Sequence, residues 1–302
     1  MGSGKQLCAP RPALIFPAGE ESKTRETWIR LSDELLARGF GRDSAIVAIG
    51  GGVVGDMAGF VAATYCRGVP YAQVPTTLLA MLDASVGGKV GVDTPQGKNL
   101  IGAFHPPAIV VSDPAALMDL PAAEYRAGFA EAIKHGVIAD AAYFDWIETH
   151  ASGLVARSKE TLVDLIRRSV EIKAEVVSAD ERESGRRAIL NAGHTVAHAL
   201  ETESGFQLAH GEAVALGLIA ETQIAERLGI ARTGLSQQIA SLAGALGLPT
   251  ESQTPRDLQR LDASADARQE KIAPEQFISH WPKTWEECTS RTDSGPCRWI
   301  AR

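Results

Sequence analysis

Ala45-Ile46-Val47-Ala48-Ile49-Gly50-Gly51-Gly52-Val53-Val54-Gly55-Asp56 is the stretch whose reading decides the fold. A short apolar run rich in β-branched residues reads as a buried strand, the glycines allow an abrupt turn, and Val53 onward opens a helix. Strand, glycine turn and helix N-terminus in this order form the repeating unit of an α/β layer, where backbone amides can approach a pyrophosphate. The turn is not a regular GxGxxG, and a tight strand-to-helix connection with no ligand has the same sequence. Asp56, near the helix start, is equally a cap.

The same alternation extends to both sides. Ala13-Leu14-Ile15-Phe16 is a strand candidate, Thr24 to Arg38 is helix-patterned, and Tyr71-Ala72-Gln73-Val74-Pro75 and Ala108-Ile109-Val110-Val111-Ser112 are further strands. After Leu120-Pro121 the period becomes helical, as in Leu154 to Val177 and in Ala213 to Leu228, which ends at Gly229. The expected fold is an α/β N-terminal nucleotide-binding layer over residues 1–115, with a truncated, Rossmann-like parallel sheet. A mainly α-helical metal-binding domain follows over 116–302. Beyond about residue 262 the composition changes: Trp281, Trp285, Trp299, Cys288 and Cys297 crowd into a tail without clear period, to which no function is assigned.

Composition narrows the function. The chain has 302 residues, 45% of them apolar, and a formal net charge of -7, with no long basic run. That balance argues against a nucleic-acid or anionic-membrane surface. The four cysteines make no CxxC pair, and no apolar stretch is long enough for a signal peptide or a membrane span, so a cytoplasmic chain with reduced thiols is expected.

Three groups of residues carry chemistry. Between Pro75 and Asn99, Thr76, Thr77, Asp83, Ser85, Lys89, Lys98 and Asn99 lie among glycines, a density suited to binding an anion. Glu131 and Lys134 share a face of an apolar helix, which is commonly a surface ion pair but here has mostly apolar neighbours. Three of the seven histidines, His194, His198 and His210, fall within 17 positions, the first two at i and i+4 on one helical face. Two imidazoles and a carboxylate suit a zinc ion with one open position, and His198 stays open as a fourth ligand on this reading alone. Arg187 and Asn191 stand just upstream of the histidines, where capping and surface roles are equally open.

Taken together, Gly50 to Arg67, Pro75 to Pro106, Glu131 to Lys134 and Asn191 to Glu212 resemble the 3-dehydroquinate synthase family of the sugar phosphate cyclases, over residues 16–247. The resemblance implies Glu131, His194 and His210 as ligands of zinc, or of cobalt in its place, and moves His198 to the substrate. It implies a substrate pocket of Arg67, Asp83, Lys89, Asn99, Lys134, Lys173, Arg187, Asn191 and His198. By the same carry-over Glu20, Lys23, Gly52, Val53, Val54, Gly55, Asp56, Thr76, Thr77, Lys89 and Lys98 contact NAD+. The implied reaction converts the seven-carbon sugar acid phosphate DAHP to 3-dehydroquinate and phosphate, a lyase step of the shikimate pathway toward aromatic amino acids. It runs through transient oxidation by NAD+, elimination of phosphate, return of the hydride and an intramolecular aldol closure. The substrate phosphate assists its own proton removal; separately from the resemblance, a homodimer is the expected assembly.

Two departures from the family carry expectations. Members normally begin with further sheet strands and an acidic loop that holds the adenosine ribose, and this chain starts after them, so half of the NAD+ cradle is expected to be absent. An exposed parallel strand with no neighbour then predicts poor solubility or reliance on a dimer partner. Near the other end the family has Asp-Lys-Lys where this chain reads Asp262-Ala263-Ser264, and neither Lys271 nor Lys283 aligns with the missing lysine. An inactive zinc-binding remnant and a zinc-dependent polyol dehydrogenase are the competing readings of the same inventory.

Overall fold

The computed structural model describes residues 12–181, 185–205 and 207–251. The tail expected beyond residue 262, with Lys271, Lys283, the three late tryptophans and Cys288 and Cys297, lies outside the described residues.

The opening stretch folds as its sequence predicts. Strand β1 (Ile46–Gly50) runs into helix α2 (Gly52–Thr64) across Gly51, the N-cap, so Asp56 sits within the helix and is not its cap. Helix α1 (Arg25–Ala37) precedes them, capped by the Thr24 hydroxyl, which accepts the Thr27 amide at 3.2 Å. Strand β2 (Tyr71–Pro75) pairs in parallel with β1, Ile46 opposite Tyr71, and its other edge pairs in parallel with the short β5 (Ile109–Val110). The sheet order is therefore β1-β2-β5. Gly59 lets α2 lie flat on this layer, because a Cβ there would stand 2.9 Å from the Tyr71 hydroxyl.

Two expectations are corrected. Residues 13–16 form no strand: Leu14 and Phe16 pack against the N-terminal core, Ile15 is exposed, and its carbonyl accepts from the Arg30 guanidinium at 3.1 Å. An apolar run becomes a strand only where a second backbone meets it, and none does among the described residues. The lysine- and glycine-rich segment, in turn, contains an antiparallel ribbon, β3 (Lys89–Thr94) and β4 (Gly97–Phe104). Gly91 and Gly102 face each other across it, and a Cβ on Gly91 would approach the Ile101 carbonyl oxygen to 2.7 Å.

From residue 122 the described residues are mainly helical: α3 (Ala122–Ala127), α4 (Phe129–Ala139), α5 (Ala141–Val155), α6 (Lys159–Ala179), α7 (His194–Glu203), α8 (His210–Arg227) and α9 (Leu235–Ala245). Helix α4 is buried from Phe129 to Ile138, which makes it the central helix of this half. Among the described residues there are two apolar cores. One gathers Leu31, Met57, Phe60, Val61, Tyr71 and Val92 beneath the sheet; the other gathers Phe129, Ile133, Leu165, Val214 and Ile239 among the helices. Leu78, Met81 and Leu82, just past β2, join the helical core, so a π-helical turn at Ala80–Ala84 carries the chain from one layer toward the other. Single π-turns of this kind concentrate at functional sites, and this one bears Asp83.

Candidate metal and cofactor site

Helices α4, α7 and α8 bring three ligand atoms to one point. Glu131 Oε1 lies 3.6 Å from His194 Nε2 and 3.8 Å from His210 Nε2, and one ligand atom from each residue falls within 4.8 Å of the others. Ligands about 2.0–2.1 Å from a tetrahedral zinc stand roughly 3.3 Å apart, close to the two Glu131-to-histidine separations. Burial, helped by the charge of Lys134, pushes His194 down to about 3, so it offers a neutral lone pair. Burial would lower His210 too, but its hydrogen bond to Glu201 and the negative charges of Glu131 and Glu201 together raise it. The donor set fits a divalent metal and leaves one position open. His198 stands apart from it, its ring edge-on to His194 with centroids 5.7 Å apart.

The triple has an organised surround. Buried Glu201 on α7 bonds His210 Nδ1 at 3.3 Å and Lys98 of β4 at 3.3 Å. Burial would raise this carboxyl, but the His210 hydrogen bond and the neighbouring positive charges hold it down at about 2. A carboxylate on the far ring nitrogen fixes the tautomer that leaves Nε2 free for a metal. Sequence reasoning missed Glu201, although its place seven residues after His194 puts it on the same helical face.

On the other side of Glu131 a charge network fills the interior. The Lys134 ammonium rests against the Glu131 carboxylate, both almost fully buried. Lys173 of α6 meets Asp83 Oδ2 at 2.8 Å and also donates to the Asp83 carbonyl at 2.7 Å. Fully buried His135 stands 3.4 Å from Asp83 Oδ1. Burial would raise Asp83, yet Lys173 and Lys134 hold it well below the usual carboxylate range. Asp83, Glu131 and His135 are also spaced like metal ligands. Two ammonium groups already neutralise that cluster, so it is not a second cation site.

The expected cofactor residues lie at the edge of the sheet. Lys23, 3% exposed, donates to Asp56 and to Asn99, both at 2.6 Å, and has Glu20 at 3.7 Å. Gly52, Val53, Val54, Gly55 and Asp56 form the first turns of α2, and Gly51 just before them lies against Thr77, whose hydroxyl accepts the Ala80 amide at 3.2 Å. The Thr76 amide donates to Gly50 at 2.8 Å. Adjacent residues of β4 join the halves, Asn99 toward Lys23 and Lys98 toward Glu201. Asn99 has φ of 55°, a left-handed conformation that asparagine adopts more readily than other non-glycine residues. Lys89 is exposed at the head of β3.

Other expected pocket residues are placed less closely. Arg187 is buried and donates to the carbonyls of Glu181 at 2.6 Å and Gly87 at 3.2 Å; Asn191 is exposed at the end of the turn Arg186–Asn191. Arg67, with φ of 68°, is exposed beyond the C-terminal end of α2, roughly 20 Å of helix away from the glycine turn, and is not brought to this cluster.

A parallel α/β layer joined to a helical half is the two-domain fold of the sugar phosphate cyclases. The fold is similar to that of 2-epi-5-epi-valiolone synthase from Streptomyces hygroscopicus subsp. jinggangensis, solved with NAD+ and Zn2+. That match has a TM-score of 0.76 at 30% identity and covers 84% of this chain and 72% of that one. It is also similar to 2-deoxy-scyllo-inosose synthase complexed with carbaglucose-6-phosphate, NAD+ and Co2+, with a TM-score of 0.79 at 30% identity, covering 86% and 71%. Within that class, the 3-dehydroquinate synthase N-terminal model matches residues 13–127 and the C-terminal model residues 128–270. The 3-dehydroquinate synthase of Acidithiobacillus ferrooxidans is 49% identical over 247 residues, spanning 82% of this chain and 68% of that protein. The chain belongs to the 3-dehydroquinate synthase family.

Proposed function

We propose that this chain converts DAHP to 3-dehydroquinate with release of phosphate, using NAD+ and a divalent metal, zinc or cobalt. The observation that carries the proposal is the buried Glu131, His194 and His210 triple, within a chain about half identical to a 3-dehydroquinate synthase. When bound, the metal supplies Lewis acidity toward a substrate hydroxyl, and NAD+ takes up and returns a hydride, so no net oxidation results. Both cofactors accord with those of the two cyclases of known structure.

The chain's own residues bind, orient and stabilise charge. Lys134 and Lys173, positioned in the interior by Glu131 and Asp83, are the ammonium donors proposed for the anionic substrate. Asn99, Arg187, Asn191, His198 and Lys89 complete the proposed pocket, with Arg67 assigned to it by family resemblance alone. Glu20, Lys23, Gly52 to Asp56, Thr76, Thr77, Lys89 and Lys98 are the proposed NAD+ contacts. We place the chain in the cytoplasm as a homodimer. No described helix is long and apolar enough to cross a membrane, and edge strand β1 exposes Val47 and Ile49.

Purified chain given DAHP, zinc and NAD+ below the substrate concentration is expected to release phosphate in amounts exceeding the NAD+ supplied, without accumulation of NADH. Zinc bound without phosphate release contradicts the activity. Steady NADH formation from a small polyol points instead to a dehydrogenase, because a cyclase regenerates its cofactor.

A further inference from the structure

Helix α7 carries His194 as its first residue, so the position of this imidazole depends on how the start of that helix is held. The first N–H groups of any helix have no partner within it, and the residue before normally supplies one from its side chain. Here that residue is Gly193, which has none. No other residue fits: Gly193 has φ of 82°, and a Cβ on it would lie 2.9 Å from the Leu218 amide nitrogen and 3.1 Å from the Val214 carbonyl oxygen. Gly217 closes the same contact from α8, since a Cβ there would collide with the Gly193 carbonyl.

The missing cap comes from the neighbouring helix. Glu221 of α8, 2% exposed, accepts the Gly193 amide at 2.7 Å with Oε2 and the Val196 amide at 3.2 Å with Oε1. Backbone amides are the groups that favour its charge, and burial pushes the carboxyl up to about 7. Burying a carboxylate without a cation costs several kcal/mol, so stability alone does not account for a glutamate here. What the arrangement supplies is alignment. Helix α8 carries His210 as its own first residue and, three turns further along, grips the start of α7.

We infer that Glu221 is a positioning residue for the metal site: by capping α7 from α8, it fixes His194 relative to His210. This rests on the reading of Glu131, His194 and His210 as ligands, but the capping itself can be tested without a metal.

Zinc affinity of the purified chain, by chelator competition, and amide hydrogen exchange of the metal-free chain separate the two claims. Glu221→Ala is expected to weaken zinc binding 10- to 100-fold, the usual effect of removing a partner behind the ligands. Its Gly193 and Val196 amides should exchange at least about tenfold faster than in the unsubstituted chain. Glu221→Gln, which keeps the shape and one of the two acceptors, should recover part of the affinity. In the cobalt-loaded protein the visible absorption of Glu221→Ala should shift, reporting altered ligand geometry. Thr222→Ala is the comparator: Thr222 is fully buried next along α8, but its hydroxyl donates to the Leu218 carbonyl within its own helix. It should change neither zinc affinity nor the spectrum. Equal loss of affinity in Thr222→Ala and Glu221→Ala, or unchanged exchange at Gly193 and Val196 in Glu221→Ala, overturns the inference. Failure of the unsubstituted chain to bind zinc overturns the ligand reading instead, while the exchange result still decides the cap.

Discussion

Glu131 is the residue where two networks meet. One oxygen faces His194 and His210 and the other meets Lys134, so the same carboxylate serves a metal and neutralises a buried ammonium. Glu131→Gln is therefore expected to do two things at once. It should lower zinc affinity by at least about 100-fold in chelator competition. It should also lower the stability of the metal-free protein by about 3 to 5 kcal/mol in urea unfolding, the usual cost of leaving one buried charge without its partner. A variant that loses zinc at unchanged stability contradicts the shared role. Much of this was legible in the sequence, because Glu131 and Lys134 sit three apart in an apolar helix and His194 and His198 four apart. Glu201, Glu221 and His135 were not read, since a lone acid or imidazole in a helix shows its partner only when a distant segment packs against it. The spacing of His194 and His198 could not by itself exclude His198 as a ligand; here the triple is completed by Glu131 from another helix.

At the scale of elements, the contact of α7 with α8 governs the separation of the two histidines. Glycines at 193 and 217 allow the backbones to touch. Gly217→Ala should wedge the helices apart, costing about 1 to 3 kcal/mol in urea unfolding, as overpacking generally does, and weakening zinc binding in parallel. Loss of stability with unchanged zinc affinity contradicts the view that this contact sets the site. The strand, glycine turn and helix at Ile46–Thr64 were legible because apolar run, glycines and helix period agree. The β3 and β4 ribbon was not, because glycines and lysines interrupt the alternation that marks a strand. The run at 13–16 misled for the opposite reason: local pattern favours a strand, but pairing is a long-range event.

Across the whole molecule, Lys98 to Glu201 and Lys173 to Asp83 tie segments that lie 103 and 90 positions apart in sequence, and no local pattern announces such ties. The helical core depends on buried tyrosines as well. Tyr125 donates to the Leu154 carbonyl at 2.6 Å, and burial raises its hydroxyl to about 12; burial raises Tyr143, which bonds Ser169, well above its ordinary value. A folded-state pKa above the unfolded value of about 10 leaves stability intact below pH 10 and removes it as pH rises toward 12. Urea midpoints should therefore fall steeply between pH 10 and 12, and Tyr143→Phe should flatten that fall; an unaltered slope contradicts the assignment. The central claim, that Glu131, His194 and His210 form the metal site, is tested most directly by X-ray absorption at the zinc edge of the purified protein. The predicted result is two imidazole nitrogens and oxygen donors at about 2.0–2.2 Å, with one imidazole lost in His194→Ala and none in His198→Ala. Loss of an imidazole in His198→Ala, or a spectrum without imidazole scattering, would contradict it.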